Sequence, residues 1–265
     1  MKEKIIAKLN ELNGYFYDLS GADFSATRNF SWQGWNQLLP FFKKKLSSPS
    51  SRILDLGCGN GRLLEFLQIH LGQKFTYLGL DSSQSLLKIA KNKYPQDDFA
   101  HFDLIQEYLN GGQIKLPSSE KFDLITLFGL THHLPSFALR RQLFSDLKKY
   151  LNKNGLLIVS NWQFALEPER FEKNTLNWSS IWRNHQLGII DRLKLLYLYL
   201  NLEKQDFILD WRKGKQAGQV FRYCHFLAED EMQSLTNQTG WQVVASFLAD
   251  GKSGKLNQYF VLQAL

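Results

Sequence analysis

The sequence has only two cysteines, Cys58 and Cys224, among 265 residues. Two cysteines cannot build a disulfide framework, and their spacing is not that of a zinc site. Cys58 also lies inside a glycine-rich segment. We therefore expect no disulfide framework and no metal site, and we expect the reducing cytoplasm as the location.

Long apolar runs are also missing. Residues 1–12 mix three lysines with two glutamates, unlike a signal peptide, and the longest apolar stretch, 193–202, is too short and too polar to span a bilayer. Tracts rich in proline and glycine and internal repeats are not seen either. With 44% hydrophobic and 22% charged residues, the composition predicts a globular chain that does not enter a membrane.

Positive charge is in excess, with a net charge of +7. Residues 1–52 carry eight Lys/Arg against four acids and residues 162–222 carry ten against seven, whereas residues 53–161 are closer to balance, with twelve against ten. The excess therefore lies at the two flanks of the central region. This distribution is compatible with a polyanionic partner, and equally with a mildly basic enzyme.

The order of elements predicts an α/β fold. Helical periodicity in 2–12 and 35–46 frames a predicted aromatic loop, 15–32. From residue 52 onward, apolar strand patterns alternate with amphipathic helices, which is typical of a parallel sheet covered on both faces. The predicted strands are 52–56, 75–80, 99–102, 122–128 and 156–160, and the predicted helices are 62–70, 83–93 and 137–151.

Residues 162–223 interrupt this alternation. They are rich in aromatic and basic residues and show no clean strand, so we interpret them as an insertion over the carboxyl edge of the sheet, where open parallel sheets bind ligands. A helix, 229–240, and two strands, 241–248 and 258–262, follow. The turn-rich segment between these strands predicts a closing hairpin.

The first predicted strand runs into a G-x-G-x-G loop. Glycines suit a turn with positive φ that a cofactor must approach closely. Three glycines alone are weak evidence, but an acid precedes them by two positions. We predict that the loop contacts a nucleotide cofactor through Asp55, Gly57, Cys58, Gly59, Asn60 and Gly61.

Two further acids end the next two strands. Asp81, followed by Ser82, is placed to accept hydrogen bonds from both ribose hydroxyls, and Asp103, followed by Leu104, is placed to accept from an adenine amine. Each acid alone could equally be a helix cap or a turn residue. A nicotinamide fingerprint is not matched, because Arg62 stands where its third glycine would be.

These motifs resemble class I S-adenosylmethionine-dependent methyltransferases over about residues 52–160. The resemblance implies a Rossmann-like fold: a seven-stranded, mostly parallel sheet with a C-terminal antiparallel hairpin and an inserted lid. It also implies S-adenosylmethionine as cofactor, with Phe128 at the methyl-bearing end of the fourth strand. The expected regions are an N-terminal cap, 1–50, a cofactor core, 51–161, a lid, 162–223, and a closing helix and hairpin, 224–265.

A narrower resemblance covers nearly the whole chain. The segments F-S-A-T-R at 24–28, D-S-S-Q at 81–84, H-H at 132–133 and F-R-Y-C-H-F at 221–226, together with Trp162, are similar to the eukaryotic tRNA wobble-uridine carboxymethyl methyltransferases. That family esterifies the carboxylate of 5-carboxymethyluridine. The resemblance implies tRNA as partner and a small zinc-binding activator subunit. Exposed apolar surface beside the glycine loop would indicate a binding site for such a subunit. Cys224 departs from the family, which usually has tyrosine there.

The acceptor chemistry narrows the catalytic candidates. A carboxylate is already a nucleophile, so the enzyme needs alignment and a cationic clamp, for which we predict Arg28, Arg222, His132 and His133. If the acceptor were a hydroxyl or an amine, one of the histidines would be the base. We expect one histidine to act in chemistry and the other to pack or to cap the following helix.

The insertion has two interpretations. Its tryptophans and cations, among them Trp178, Trp182, Arg183, His185, Trp211, Arg212, Lys213 and Lys215, fit phosphate contact and stacking on unpaired bases. Alternatively it is a helical lid that packs Leu193, Leu196, Tyr197 and Leu200 on the sheet. Two other functions stay open: a small-molecule O- or N-methyltransferase, and a non-catalytic RNA-binding scaffold subunit.

Overall fold

The structure is a computed structural model. It describes residues 1–26, 30–72, 74–166, 171, 174–184, 187–211 and 220–265. Arg28, His185, Arg212, Lys213 and Lys215 lie outside these residues. Among the described helices, none combines the length and the apolar character that a membrane span requires.

One seven-stranded sheet organises the fold. Its strands are β1 (Arg52–Leu56), β2 (Thr76–Asp81), β3 (Asp98–His101), β4 (Phe122–Phe128), β5 (Leu151–Trp162), β8 (Trp241–Ala249) and β9 (Asn257–Ala264). Their order in the sheet is β3-β2-β1-β4-β5-β9-β8. The first five strands are parallel, and β9 pairs antiparallel with both β5 and β8. This confirms the predicted sheet and its closing hairpin.

Helices cover both faces of the sheet and its carboxyl edge. The described helices are α1 (Glu3–Ala26), α2 (Gln33–Lys45), α3 (Arg62–Leu71), α4 (Gln84–Lys93), α5 (Leu104–Gly111), α6 (Phe137–Leu147), α7 (Trp178–Trp182), α8 (Ile189–Tyr199) and α9 (Glu229–Thr239). One apolar cluster joins the sheet to α5, α6 and α9, and a second joins its other face to α2, α3 and α4. The sheet is thus buried on both sides, as its apolar strands predict.

The first helix is longer than predicted. The expected aromatic loop from residue 15 is wrong over most of its length, because α1 continues to Ala26. Ile5, Leu9 and Phe16 are all buried, at intervals of four and seven residues that fall on one helical face. Gly14 lies inside this helix and does not end it.

The insertion contains the two strands that its sequence did not predict. β6 (Asp206–Trp211) and β7 (Val220–His225) pair antiparallel as a separate sheet. All six residues of β7 are buried, so the strand lacks the alternation of apolar and polar residues by which a half-buried strand is recognised in a sequence. Ile208 of β6 and Phe221 and Tyr223 of β7 pack with α1 and α8 in a third apolar cluster.

Helix α8 also packs differently from the prediction. Leu195 and Leu198 are its buried side chains, whereas Leu193, Tyr197 and Leu200, which were expected to pack inward, are exposed. The helix is apolar on more than one side, so its hydrophobic pattern does not identify the buried face.

Gly34 allows α2 to lie directly on the sheet, and its replacement by alanine should destabilise the fold. A Cβ at position 34 would lie 2.3–2.8 Å from ring atoms of Tyr259 on β9. Because that ring is itself buried and hydrogen-bonded to Asp250, we expect Gly34→Ala to lower the free energy of unfolding by about 1–3 kcal/mol in urea titrations.

Gly14→Ala is the matched control, since a Cβ there meets nothing within 4 Å. In the middle of a helix this change should raise the free energy of unfolding by roughly 0.5–1 kcal/mol. Equal stability of the two variants would contradict the proposed contact at Gly34.

Candidate active site

A cavity of about 640 Å³ opens at the carboxyl ends of the parallel strands. This is the size of ordinary small-molecule sites, and it lies at the sheet edge where open α/β folds bind ligands. The glycine loop and the ends of β2 and β4 form one half, which we call the cofactor half. Side chains from α1, β5, β7 and the turn after β4 form the other, which we call the acceptor half.

The glycine loop holds three residues in the left-handed region. Gly57, Gly59 and Gly61 have φ of 83°, 56° and 80°, which residues with a Cβ rarely adopt. A Cβ at Gly61 would lie 2.9 Å from the Tyr94 ring, whereas at Gly59 the nearest atom is 3.9 Å away on Leu86. Gly61 therefore packs against the protein, and Gly59 leaves open space for a ligand.

Asp81 fixes this loop to the end of β2. One carboxylate oxygen accepts from the Gly59 amide at 2.8 Å, and the other accepts from the Ser83 amide at 2.8 Å. Each oxygen keeps a second lone pair for a ligand hydroxyl. Burial raises the pKa of this carboxyl despite the two amide hydrogen bonds. The predicted ribose ligand is thus oriented before any ligand binds.

Asp103 is both a helix cap and a cavity residue. Its Oδ1 accepts from the backbone amides of Ile105 and Gln106, each at 3.0 Å, which caps α5. Its Oδ2 accepts from the Asn10 side chain of α1 at 2.8 Å. The capping interpretation is therefore correct, while the side chain still lines the cavity where an adenine amine is predicted.

Asp55 lies beneath the loop and does not line the cavity, which differs from the prediction of a direct cofactor contact. Its carboxylate accepts from the Tyr77 hydroxyl at 2.8 Å and from the Thr126 hydroxyl at 2.7 Å, so it ties β1 to both neighbouring strands. Burial raises its pKa from 3.8 to about 6 in spite of these hydrogen bonds. Its role is to support the loop from inside the sheet.

Arg222 is a buried cation in the acceptor half. Its guanidinium carbon lies 4.7 Å from the Trp162 ring centroid and 5.2 Å from that of Phe16. Contacts of this kind with aromatic rings stabilise a cation and hold its planar fork in one orientation. The side chain is 4% exposed and lines the cavity. It thus brings a cationic side chain to this half of the cavity.

The two histidines divide into one that is fixed by hydrogen bonds and one that faces the acceptor half. His133 Nδ1 lies 3.2 Å from the Tyr223 carbonyl oxygen and 3.4 Å from the side-chain nitrogen of Asn13. The shorter contact is to an atom that can only accept, which favours the hydrogen on Nδ1. In the neutral ring Nε2 then accepts from the Tyr17 hydroxyl, 2.7 Å away. The ring of His133 is thus held in place by hydrogen bonds, and it lines the cavity.

His132 is the remaining candidate for chemistry. Its ring centroid lies 5.5 Å from that of Trp162 and 4.1 Å from that of His133. It is buried against these rings and lines the cavity beside Arg222. Gly129, which precedes this turn, donates its amide to Ser160 at 3.0 Å, so the end of β4 is anchored to β5.

Cys224 lies closer to the histidines than the sequence predicts. Donor atoms of Cys224, His132 and His133 are all within 4.8 Å of one another, so the fold brings together three residue types that bind metals. Both ring nitrogens of His133 are already engaged with Tyr17 and Tyr223. Cys224 packs with Phe164 and Leu209 in an aromatic cluster, which suits a neutral thiol.

The structure brings most of the predicted site residues into one cavity. Those that line it are Gly57, Cys58, Gly59, Asn60, Asp81, Ser82, Asp103, Leu104, Phe128, His132, His133 and Arg222. Gly61 and Asp55 lie behind the lining, and Arg28 is outside the described residues. Sequence reasoning missed the contributions of Asn10, Asn13 and Tyr17 from α1, of Arg62, and of the loop 250–257.

Comparison with known proteins places these features in a family. A family model described as "Methyltransferase domain" matches residues 28–246. The chain is also similar in fold to an amino pentose methyltransferase, CalS10 from Micromonospora echinaspora, solved with S-adenosylmethionine bound. The TM-score is 0.58 and the identity 16%, over 92% of this chain and 97% of that one.

Three sequence relatives differ in how much of each protein they cover. A tRNA (carboxymethyluridine(34)-5-O)-methyltransferase from Arabidopsis thaliana is 30% identical over 58% of this chain and 32% of its own length. An uncharacterized methyltransferase from Alkaliphilus oremlandii is 26% identical over 56% of this chain and 61% of its own length. The chain thus spans less than two thirds of both.

The third relative is covered almost completely. A ubiquinone/menaquinone biosynthesis C-methyltransferase from Campylobacter jejuni is 25% identical over 80% of this chain and 89% of its own length.

Asp55→Asn should change how stability depends on pH. The folded-state pKa of Asp55, about 6, exceeds the ordinary value of 3.8. The stability that its protonated form contributes is therefore fully present below about pH 4 and is lost as pH rises through about 6. The loss amounts to roughly 3 kcal/mol of unfolding free energy.

Urea titrations of wild type and variant at pH 4 and pH 7 would measure this difference. The wild type should lose more stability than the variant between these two values, because asparagine does not titrate. An identical change in the two proteins would show that Asp55 is not a buried, proton-binding carboxyl.

Proposed function

Because the chain belongs to the methyltransferase-domain family, we propose that it transfers a methyl group from S-adenosylmethionine to the carboxylate of a carboxymethyl-modified wobble uridine in tRNA. The product is a methyl ester. The observation that carries this proposal is the buried Arg222, clamped between Phe16 and Trp162 in the acceptor half of the cavity.

The residues of the cofactor half fit S-adenosylmethionine. Gly59 leaves room for close approach to the backbone, and Asp81 presents two oriented oxygens to a ribose. Asp103 and Leu104 lie at the next strand end, where an adenine would meet an acceptor and a backbone group. When bound, the cofactor supplies an electrophilic methyl group on a positively charged sulfur.

The acceptor half needs to align a nucleophile. A carboxylate has no proton to lose before it attacks a methyl group, so the chain has to fix its position and direction. The Arg222 fork matches the two oxygens of a carboxylate, and in a buried setting such charge-assisted hydrogen bonds are strong. His132 and Trp162 then border the reacting group and exclude water from it.

Surface features outside the cavity support an RNA acceptor. Trp178 and Trp182 are about half exposed, and their rings are parallel within 3°. Arg183 follows directly, and exposed aromatic rings next to cations suit stacking on unpaired bases together with phosphate contact. The plant relative named above is a tRNA carboxymethyluridine methyltransferase, and this similarity also supports an RNA acceptor.

The activator subunit stays a prediction. Phe30 and Ile69 are 77% and 71% exposed. Phe30 is joined to the start of α3 by the hydrogen bond that Arg62 donates to its carbonyl. Phe30 lines the same cavity as the glycine loop, whereas Ile69 lies about two turns along α3 from that loop.

A small-molecule acceptor is the second candidate. It is favoured by the quinone-pathway relative, whose match covers far more of both chains than that of the plant protein. In that case the acceptor carries a proton, and His132 becomes the candidate base.

Transfer of labelled methyl groups to tRNA with carboxymethylated wobble uridine tests the main proposal. We expect label in the nucleoside that mild alkali releases, and none with tRNA that lacks the carboxymethyl group. Label that resists alkali, or transfer only to small molecules, would contradict it. If the chain binds no S-adenosylmethionine in calorimetry, both enzyme proposals fail and the scaffold function is left.

Arg222→Lys should weaken use of the acceptor and leave cofactor affinity unchanged. Lysine keeps the charge but loses the planar fork and its contacts with two rings, so kcat/KM for the acceptor should fall roughly 10- to 100-fold. Arg141→Lys, at an exposed position of α6, is the matched control and should behave like wild type. A loss confined to cofactor binding would remove Arg222 from the acceptor site.

His132→Gln separates the two acceptor classes. With a carboxylate acceptor no base is required, so kcat should fall only a fewfold and show no new dependence on pH between 6 and 8. With a hydroxyl or amine acceptor the loss should be about 100-fold or more, and the base-dependent limb of the wild-type pH profile should disappear. Rate profiles of both proteins on each acceptor make this measurement.

A further inference from the structure

A buried chain of charged side chains lies behind the acceptor half. His225 of β7 stands between two carboxylates: its Nδ1 is 2.7 Å from Asp206 of β6, and its Nε2 is 2.7 Å from Glu231 of α9. Arg140 of α6 holds the other oxygen of Glu231 through Nε at 2.8 Å and Nη2 at 2.7 Å. The chain thus joins four elements that are separate in sequence.

Both carboxylates of the charged chain accept several hydrogen bonds. Asp206 accepts from the Tyr223 hydroxyl at 2.6 Å and from the Glu203 amide at 2.8 Å, so both of its oxygens act as acceptors. Burial alone would raise the pKa of Glu231, but hydrogen bonds from His225 and the charge of Arg140 hold it below its usual value.

Each ring nitrogen of His225 therefore faces a carboxylate oxygen, which accepts hydrogen bonds. A neutral ring would turn a lone pair toward one carboxylate, which is unfavourable in a buried site. If His225 is an imidazolium, the four linked side chains are neutral as a group, because two cations, Arg140 and His225, balance two anions, Asp206 and Glu231.

The charged chain contacts the turn Thr131–His133, which we call the histidine turn, from two sides. Arg140 Nη1 donates to the carbonyl oxygen of Leu134, directly after His133, at 2.6 Å. Tyr223, whose hydroxyl binds Asp206, accepts from His133 through its backbone carbonyl and donates its amide to Asn13 at 2.8 Å. The position of the turn thus depends on both ends of the charged chain.

The strand geometry extends the same control to the acceptor clamp. Successive side chains of a strand point to opposite faces, so Tyr223 and His225 share one face of β7 and Arg222 lies on the other. The shared face is held by Asp206, and Arg222 on the opposite face lines the cavity. A shift of β7 would therefore move the guanidinium.

We propose that His225, in its imidazolium form, is a positioning residue for methyl transfer: it locks β7 and the histidine turn so that Arg222 and His132 keep their places at the acceptor. It touches neither cofactor nor acceptor and acts only through Asp206, Glu231 and Arg140. The activity consequence rests on the proposed function, whereas the charge state and its hold on His133 do not.

Two variants separate charge balance from simple loss of the ring. His225→Gln leaves Arg140 against two carboxylates and should lower kcat/KM for the acceptor on the order of 10- to 100-fold, with cofactor affinity within twofold of wild type. His225→Gln combined with Asp206→Asn restores neutrality and keeps the Arg140–Glu231 pair, so it should regain most of the activity. His70→Gln, on the exposed end of α3, is the matched control and should have no effect.

A spectroscopic measurement decides the positioning without an acceptor. In long-range proton–nitrogen spectra of histidine-labelled protein, both ring nitrogens of His225 should be protonated at neutral pH, and His133 should show a single tautomer with hydrogen on Nδ1. His225→Gln should shift the His133 signals, and the double variant should return them toward wild type.

The outcomes are distinguishable. A neutral His225, unchanged His133 signals in a folded His225→Gln protein, or failure of the double variant to recover would each overturn the positioning role. If wild type transfers no methyl group to any tested acceptor while the spectra behave as described, the proposed function fails and the positioning of His133 by His225 stands.

Discussion

The pair of backbone hydrogen bonds that the Asp81 carboxylate accepts is the interaction on which the rest of the site depends. The carboxylate bridges the amide of Gly59 in the first loop and the amide of Ser83 in the second, so two loops from neighbouring strands become one rigid surface. Burial raises the pKa of this carboxyl, and the two amide hydrogen bonds oppose that shift. The lining of the cofactor half is therefore set before binding.

Helix α1 joins the two halves of the site. Its Asn10 reaches Asp103 in the cofactor half, while Asn13 and Tyr17 reach Tyr223 and His133 in the acceptor half. Positions 10, 13 and 17 are spaced by three and four residues, so one helical face serves both. Because Tyr223 and His133 are buried and Asp103 is partly buried, these hydrogen bonds make the helix part of the cavity wall.

Most residues that the sequence predicts for the cofactor half line the cavity, whereas several residues of the acceptor half were not predicted. Glycines with positive φ and acids at strand ends have local signatures, which is why Gly59, Asp81 and Asp103 could be identified without a structure. Asn10 and Tyr17 could not be identified, because their direction depends on which face of α1 packs inward. The depth of Asp55 was missed as well, since only the pairing with Tyr77 and Thr126 shows that its carboxylate points into the sheet.

The paired strands β6 and β7 contribute to only one half of the cavity. Of the described elements, α1 has hydrogen bonds to both halves, whereas β7 supplies Arg222 and holds His133 without contributing to the glycine loop or the strand ends around it. New acceptor specificities can therefore arise by changes in this inserted hairpin while cofactor recognition stays constant. Changes in α1 alter acceptor specificity and cofactor recognition at once. Evolution and protein engineering can therefore vary the inserted strands more independently than the first helix.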